Sequence, residues 1–187
     1  MHIQRLGIPG PILITPRRFG DARGWFSETW NRAALRQADY DFPDFVQDNH
    51  SFSALPYTLR GLHFQRPPRA QDKLVRCSRG GILDVAVDAR SGSPWYGHAV
   101  TAELTAENGA QLFVPEGFLH GFLTLVPDCE VQYKCTDVYA PEYDGGVLWS
   151  SVGIDWGTDA PILSEKDANA VEFADFDTPF VYEGADA

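Results

Sequence analysis

The sequence predicts an all-β sandwich or barrel, and three observations support this fold class. Short runs rich in Val, Ile, Leu and aromatic residues recur roughly every ten residues, which is typical of a series of short strands. Gly, Pro, Asp and Asn separate these runs, as expected for strands joined by tight turns. Helical periodicity is confined to two short segments. Because the chain is long enough for one substantial core, we expect a single domain over residues 1–187.

The predicted strands follow one another in order, each an apolar run bounded by turn residues. They are residues 10–16, 24–30, 59–65, 73–78, 82–90, 96–104, 110–115, 120–126, 131–139 and 145–151. The plainest hairpin is expected between residues 73–77 and 82–87, because Gly80 and Gly81 can supply the positive φ that a tight connection needs.

One or two short peripheral helices complete the predicted fold. Residues 31–39 are rich in alanine and begin with Asn31, a residue type that favours the N-cap position. Residues 164–176 begin like a capping box, with Ser164 followed three positions later by Asp167. This second segment predicts a short helix or an irregular segment.

The formal net charge of −11 argues against binding to nucleic acid or to an anionic membrane surface. Part of this charge lies in an acidic C-terminal tail, which we expect after about residue 171. The acids of the tail are Glu172, Asp175, Asp177, Glu183 and Asp186. No apolar run approaches membrane-spanning length, and the N-terminal residues lack the layout of a secretory signal. We therefore expect a soluble cytoplasmic protein.

The three cysteines, Cys77, Cys129 and Cys135, do not form a disulfide or zinc pattern. They are odd in number, none is in CxxC spacing, and each lies in an apolar or strand-like segment. We expect them to be small buried hydrophobic residues.

Basic residues are concentrated between positions 60 and 79, where a single acid accompanies them. The basic residues are Arg60, Arg66, Arg69, Lys73, Arg76 and Arg79. An acidic protein with this local concentration can be building a pocket for an anion. A solvated basic face of a strand explains the same pattern, and charge alone does not decide between the two.

Two histidines, His63 and His120, lie in strand-like segments that also contain glycine. Residues 109–120 (GAQLFVPEGFLH) resemble the second signature of the cupin superfamily, whose fold is a double-stranded β-helix, or jelly roll. Metal-binding cupins add a His-x-His pair and a carboxylate from an earlier segment. Here that segment reads His63-Phe64-Gln65, and Arg69 stands near the position of the carboxylate. We therefore predict no metal site and favour imidazoles that serve acid–base chemistry.

Strand alternation predicts which side chains point toward a cavity. Gly61, His63 and Gln65 share one face of residues 59–65, and the glycine leaves room for a ligand beside the imidazole. On residues 131–135, Tyr133 shares a face with apolar neighbours. A buried tyrosine needs a partner for its hydroxyl, so Tyr133 is either a core residue or a functional one.

Seven segments, taken together and in order, resemble the dTDP-4-dehydrorhamnose 3,5-epimerase family. They are residues 19–28, 47–51, 59–77, 80–97, 112–122, 133–149 and 163–167. The resemblance implies a cupin-type jelly roll and an enzyme that needs neither a metal nor a cofactor. It implies that the enzyme inverts C3 and C5 of dTDP-4-dehydro-6-deoxy-D-glucose to give dTDP-4-dehydro-L-rhamnose.

The resemblance also implies a role for individual residues. His63 would be the base, Asp167 its orienting partner and Tyr133 the acid on the opposite face of the sugar. Lys73 would support the enolate. The residues that would hold the sugar or the diphosphate are Arg60, His120, Gln47, Asn49 and Lys166. Those that would contact the nucleotide or its base are Arg23, Glu28, Phe19 and Phe26, on an N-terminal segment that reaches across a homodimer.

Three residues depart from the family pattern. Asp144 stands where a glutamate usually contacts the nucleotide, and Trp95 and Leu119 replace smaller residues. We expect the last two to narrow the cavity and to affect which carbons are epimerised. Three alternatives remain open: an epimerase of C3 or C5 alone, a metal-dependent cupin that uses both histidines, and a sugar-nucleotide binding module without catalysis.

Overall fold

The computed structural model describes residues 1–184, and antiparallel β-strands form most of this part of the chain. The strands are β1 (His2–Arg5), β2 (Ile12–Thr15), β3 (Arg18–Asp21), β4 (Gly24–Ser27), β5 (Gln47–Ser53), β6 (Leu59–Gln65), β7 (Lys73–Arg79), β8 (Gly81–Asp88), β9 (Ala99–Thr105), β10 (Gln111–Val114), β11 (Phe118–Thr124), β12 (Cys129–Cys135) and β13 (Asp144–Gly146). Six strands form one sheet in the order β1-β2-β10-β7-β12-β5. Five form a second sheet in the order β13-β6-β11-β8-β9, and β3 and β4 form a separate hairpin.

The two larger sheets pack face to face around the main hydrophobic core. This core joins Val75 and Leu112 of the six-stranded sheet to Ile82, Leu104 and Phe122 of the five-stranded sheet, all of them buried. Burying the apolar faces of two sheets against each other is the main source of stability in such an architecture. The arrangement confirms the predicted cupin-type jelly roll.

The predicted helix after Asn31 is present, and the segment after Ser164 begins with a short helix. α1 (Arg32–Gln37) begins at Asn31, whose side chain accepts a hydrogen bond from the backbone of Ala34. α2 (Glu165–Ala168) begins at Ser164, whose hydroxyl accepts a hydrogen bond from the backbone N–H of Asp167. Two short 3₁₀ turns follow the last strand and α2, at Trp149–Val152 and Phe173–Asp175. No helix in residues 1–184 is long and apolar enough to cross a membrane.

The C-terminal segment packs on the outer face of the five-stranded sheet. Phe180 is buried and Phe176 is partly buried, and both contact the ring of Phe64 on β6. The apolar residues of the predicted acidic tail therefore pack into a second apolar cluster, while the acidic side chains between them are exposed. Asp186, which we included in the tail, lies outside the described residues.

The predicted hairpin between β7 and β8 is wrong. β7 pairs with β10 and β12 in the six-stranded sheet, whereas β8 pairs with β11 and β9 in the five-stranded sheet. Gly80, at a φ of +78°, lies where the chain passes from one sheet to the other. A Cβ added there would lie 2.6 Å from the sulfur of Cys129. The glycine pair does form a sharp turn, but this turn connects the two sheets and not two paired strands of one sheet.

The three cysteines are free and buried, as predicted. Cys77 and Cys129 belong to the core between the sheets. Cys135 ends β12, beside a cavity described below.

Candidate active site

A cavity of about 390 Å³ opens between the two sheets. Its walls come from β5, β6, β7, β11 and β12, from the segment before β6 and from the segment around α2. The lining residues are Ser51, Thr58, Leu59, Arg60, His63, Lys73, His120, Phe122, Tyr133, Ile162, Ser164, Lys166 and Asp167. A second cavity of about 410 Å³ shares His63, Lys73, Tyr133 and Lys166 with the first. The two form one continuous groove with these four residues at its centre.

His63 and Asp167 form a hydrogen-bonded dyad at this centre. The Nε2 atom of His63 lies 2.5 Å from Oδ1 of Asp167, although 104 residues separate them in sequence. The Asp167 side chain is only 6% exposed, and that of His63 is 32% exposed. With Nε2 bonded to the carboxylate, Nδ1 is the ring nitrogen left for a substrate. The geometry is that of an imidazole oriented by a carboxylate.

The local fold around α2 stabilises the ionised form of Asp167. Burial by itself raises the pKa of this carboxyl. Hydrogen bonds to His63 and Ser164 and the charge of His63 lower the pKa, and together they outweigh the effect of burial. The net pKa lies below the ordinary aspartate value. A carboxylate that stays ionised can stabilise an imidazolium as it forms.

Replacing Asp167 by asparagine should therefore reduce stability in a pH-dependent way. A pKa lowered on folding stabilises the folded state above the unfolded pKa of about 3.9, and this stabilisation is lost as the pH falls through the folded value. At neutral pH we expect Asp167→Asn to lose about 1–3 kcal/mol of unfolding free energy. Urea unfolding from pH 7 down to pH 3 should show the two proteins converging at the acid end, and a constant difference over this range would contradict the assignment.

Tyr133 and Lys73 approach the groove from the sheet opposite to His63. Tyr133 is on β12 and Lys73 on β7, whereas His63 is on β6 of the five-stranded sheet. No side chain or backbone group in residues 1–184 hydrogen-bonds to the Tyr133 hydroxyl. This side chain therefore fits the functional reading better than that of a core tyrosine.

The pKa values of both groups are shifted by burial. Burial raises the pKa of the Tyr133 hydroxyl, Cys135 and Asp144 add to the shift, and Arg60 opposes it. Burial lowers the pKa of the Lys73 ammonium, an effect that nearby acidic groups oppose. Tyr133 is therefore protonated at neutral pH and can donate a proton, while Lys73 loses its proton more readily than a fully solvated lysine.

His120 lines the same cavity and has a carboxylate partner of its own. Its Nε2 atom lies 2.8 Å from Oδ1 of Asp84, which is fully buried on β8. On adjacent strands, His120 is directly opposite His63. The sequence reasoning missed Asp84, although it is the single acid within the apolar run ILDVAV and that isolation was a signal.

The basic residues between positions 60 and 79 divide into two groups. Arg60 and Lys73 line the cavity, so part of the concentration does serve a pocket. The guanidinium of Arg69 lies 2.7 Å from Asp137, and Arg79 lies within 4 Å of Glu130. Arg76 bonds to Gln132, and Arg66 lies at a separate surface depression. Both readings of the charge pattern are therefore partly right.

Four of the polar residues predicted to hold the substrate lie along the second cavity: Gln47, Asn49, Asp144 and Lys166. Gln47 and Asn49 project from β5, and their side chains are joined by a hydrogen bond of 3.0 Å. Asp144 begins β13, where it bonds to Lys166 and accepts a hydrogen bond of 3.2 Å from the Tyr139 hydroxyl. The groove thus continues from the His63–Asp167 dyad and Tyr133 into a polar extension that also contains an exposed tyrosine.

Four predicted contact residues lie outside both cavities. Phe19, Arg23 and Phe26 are exposed on the hairpin of β3 and β4, and Arg23 is paired with Asp21. Glu28 follows this hairpin and accepts a hydrogen bond from Asn31. Within one chain these side chains do not meet the other ten predicted site residues.

The expected narrowing of the cavity by Trp95 and Leu119 is wrong. Leu119 is fully buried in the apolar cluster under the C-terminal segment, on the face of β11 away from His120. Trp95 packs against the main core and lies across from the ring of Tyr182, in a different groove. Alternation on β11 explains the first result, since neighbouring residues of a strand point to opposite faces.

The residues weighed as metal ligands are used in other ways. The amide of Gln65 bonds to backbone groups of Val138 and Ala140. His63 and His120 each bond to a different aspartate. In residues 1–184, no three His, Cys, Asp or Glu side chains are grouped so that they could hold a metal ion.

Comparison with known proteins gives a consistent result along the chain. A family model described as dTDP-4-dehydrorhamnose 3,5-epimerase matches residues 5–175. A dTDP-4-dehydrorhamnose 3,5-epimerase of Sinorhizobium fredii is 49% identical over 185 residues, which is 97% of this chain and 94% of the relative. Such identity over nearly the full length of both chains relates the whole domain, and not a single motif, to this relative.

Two solved structures have the same fold. The dTDP-6-deoxy-D-glucose-3,5-epimerase of Legionella pneumophila, in complex with dTDP-4-keto-L-rhamnose, has a TM-score of 0.91 and 37% identity, and covers 97% of this chain and 98% of its own. A 3′-monoepimerase of Streptomyces bikiniensis, in complex with dTDP-quinovose, has a TM-score of 0.84 and 35% identity, and covers 90% and 86%. The fold therefore occurs with both double and single epimerisation.

Proposed function

Because this chain belongs to the dTDP-4-dehydrorhamnose 3,5-epimerase family, we propose that its groove carries out the epimerisation with His63 and Tyr133 as proton-transfer groups. The protein is an isomerase that inverts C3 and C5 of a dTDP-4-keto-6-deoxy sugar. The observation that carries the proposal is that the two groups line one cavity from facing sheets. An inversion needs such a pair, because a proton returned to the face that lost it restores the starting sugar.

The chemistry requires only one site for two carbons. C3 and C5 both adjoin the C4 ketone, so loss of either proton gives an enolate whose charge rests on the same oxygen. A base that reaches one carbon can reach the other after a small shift of the sugar ring. The product forms when a donor on the opposite face protonates the carbon.

His63 is proposed as the base. Its Nε2 atom is bonded to Asp167, so Nδ1 takes the proton from C3 or C5 and the ring becomes an imidazolium. The ionised Asp167 stabilises that cation and fixes the ring orientation. Histidine suits this task because its unperturbed pKa of about 6.5 leaves it neutral and basic near pH 7.

Lys73 is proposed to stabilise the charge that develops on O4. A cation held in a water-poor site is worth a few kcal/mol to such an oxyanion, on the order of 3 kcal/mol for one donor. Tyr133 then donates its proton to the carbon from the other face. Arg60, Gln47, Asn49, His120, Asp144 and Lys166 are proposed to hold the sugar and the diphosphate.

We propose that no metal and no cofactor takes part, since side chains in the groove can serve every proton transfer. Activity should survive treatment with a chelator. We also propose that the protein works in the cytoplasm. Its three free buried cysteines are typical of a reducing compartment.

We propose a homodimer in which the hairpin of β3 and β4 reaches the groove of the second copy. Three aromatic side chains of this hairpin are largely exposed in one chain: Phe19 (51%), Trp25 (60%) and Phe26 (68%). Contact with the second copy would cover them. Changing Phe19 and Phe26 together to serine should yield monomers by sedimentation and raise KM about tenfold or more, which corresponds to the loss of roughly 1.4 kcal/mol. A dimer with an unchanged KM would contradict the proposal.

Solvent labelling tests the proposed function. Incubating the dTDP-4-keto-6-deoxy sugar with the enzyme in deuterated water should place deuterium at both C3 and C5 of the product. Label at C3 alone would favour single epimerisation, which the likeness to the 3′-monoepimerase keeps as the second candidate. No label at either carbon, with the sugar nucleotide bound, would leave only a binding module.

A further inference from the structure

Asp84 is a buried acid to which the proposed mechanism assigns no role. Its side chain is fully buried in the middle of β8. One carboxylate oxygen, Oδ1, bonds to Nε2 of His120 at 2.8 Å. The other, Oδ2, is buried and has no hydrogen-bond partner among residues 1–184. A buried carboxylate oxygen without a partner lowers the stability of the fold. The presence of Asp84 is therefore not explained by stability.

Asp84 lies behind the wall of the groove and does not line it. In the sheet it is directly opposite Phe122 on β11, a residue that does line the cavity. Two lining residues, His120 and Lys73, lie within electrostatic range of its carboxylate, and both oppose the rise in the pKa of Asp84 that burial causes. Asp84 can therefore influence the groove only through these neighbours.

We propose that Asp84 is a positioning residue for the epimerisation. It holds His120 by its Nε2 atom and places a carboxylate near Lys73, so that His120 presents Nδ1 as an acceptor for a sugar hydroxyl and Lys73 donates to a substrate oxygen. The proposal rests on the proposed function of the groove. It extends that function by giving His120 a fixed tautomer. With Nε2–H donating to Asp84, Nδ1 is the atom that His120 presents to other partners.

The other groups that face Lys73 do not replace Asp84. They are the Cys135 thiol, the Asp144 carboxylate and the Lys166 ammonium. Burial raises the pKa of Cys135, so its thiol is neutral near pH 7. Asp144 is already bonded to Lys166, whose own charge opposes that of Lys73. Asp84 is thus the remaining acid that can stabilise the Lys73 cation.

Asp84→Asn tests this link through the pH dependence of kcat. Without the negative charge, burial lowers the pKa of Lys73 further, so the lysine loses its proton at a lower pH. The alkaline limb of the kcat profile should move down by about one pH unit, the size of shift that one nearby charge causes. The matched control is Asp88→Asn. Asp88 is equally buried on β8, but it bonds to Arg90 and Ser93, away from the groove.

The control variant should be less stable without any movement of the alkaline limb. If Asp84→Asn lowers kcat by the same factor at every pH, its role is structural only and the proposal is overturned. An unshifted limb would overturn it equally.

A measurement on the unchanged protein keeps the proposal testable even if Asp84→Asn does not fold. Nitrogen-15 NMR of the histidine rings should show His120 with a proton on Nε2 throughout the range from pH 6 to pH 9. The His120 signals are assigned by their loss in His120→Asn. A ring that carries its only proton on Nδ1 would overturn the proposal. This result does not depend on turnover, so it remains informative if the labelling experiment finds no epimerase activity.

Discussion

Replacing His63 by alanine is expected to abolish exchange of solvent deuterium into both C3 and C5 of the keto sugar. One nitrogen of this imidazole is bonded to Asp167, a carboxyl whose pKa is lowered, and the ring faces Tyr133 across the groove. Loss of a positioned general base costs typically 10²- to 10⁴-fold, so we expect both exchange and turnover to fall by about 10³-fold or more. NMR of the sugar in deuterated water, followed over hours, measures both carbons at once.

His50→Ala is the matched control for this variant. His50 is on β5, like the lining residue Ser51, but its side chain is about half exposed and faces Glu130 on the outside of the sheet. It should exchange and turn over at the rate of the unchanged protein. If His63→Ala retained exchange at either carbon, a different group would be the base for that carbon.

Replacing Tyr133 by phenylalanine is expected to separate exchange from inversion. His63 can still remove a proton, trade it with solvent and return deuterium to the same face. The donor on the opposite face is gone, so formation of the inverted sugar should fall about 10²-fold or more relative to exchange. The comparison needs two readings of one sample: deuterium content at C3 and C5, and the fraction of inverted product.

Tyr96→Phe provides the control, because this tyrosine packs against Phe173 and lines neither cavity of the groove. It should leave both readings unchanged. Full inversion at the normal rate by Tyr133→Phe would show that the proton comes from elsewhere, for example from solvent or from Lys73.

The fold class could be predicted from sequence because its signals are local. Apolar alternation, turn residues and the two N-caps act within a few residues. They predicted ten of the thirteen strands in residues 1–184 and a helix at each N-cap, but they missed β1, β3 and β5. The pairing of strands is not local. Gly80 and Gly81 look like a hairpin turn in sequence, but the strands on either side are buried and enter different sheets. Nothing in the turn itself encodes that choice.

The site was only partly accessible to the same reasoning. Alternation correctly predicted that His63 faces a cavity while Leu62 and Phe64 face an apolar cluster. Strict alternation would place Arg60, three positions before His63, on the opposite face of the strand. The register between β6 and β11 shifts between His120 and Phe122 of β11. This irregularity lets Arg60 and His63, both on β6, line the same cavity.

Contacts between distant parts of the chain required the family resemblance or the structure. The dyad of His63 and Asp167 joins residues 104 positions apart, and the resemblance alone suggested it. Asp84 was found only in the structure, since a lone acid in a strand does not reveal which histidine it meets. The hairpin residues Phe19 and Phe26 show the opposite case, because their predicted role depends on a second copy of the chain.

The most direct test of the account is a crystal structure of this protein with a bound dTDP-4-keto-6-deoxy sugar. The account predicts that the sugar ring lies between the sheets, with Nδ1 of His63 about 3–3.5 Å from C3 or C5 on one face. The hydroxyl of Tyr133 should face the same carbons from the other side, and Lys73 should lie within hydrogen-bond distance of O4. A sugar bound elsewhere, or one with His63 and Tyr133 on the same face, would contradict the central claim.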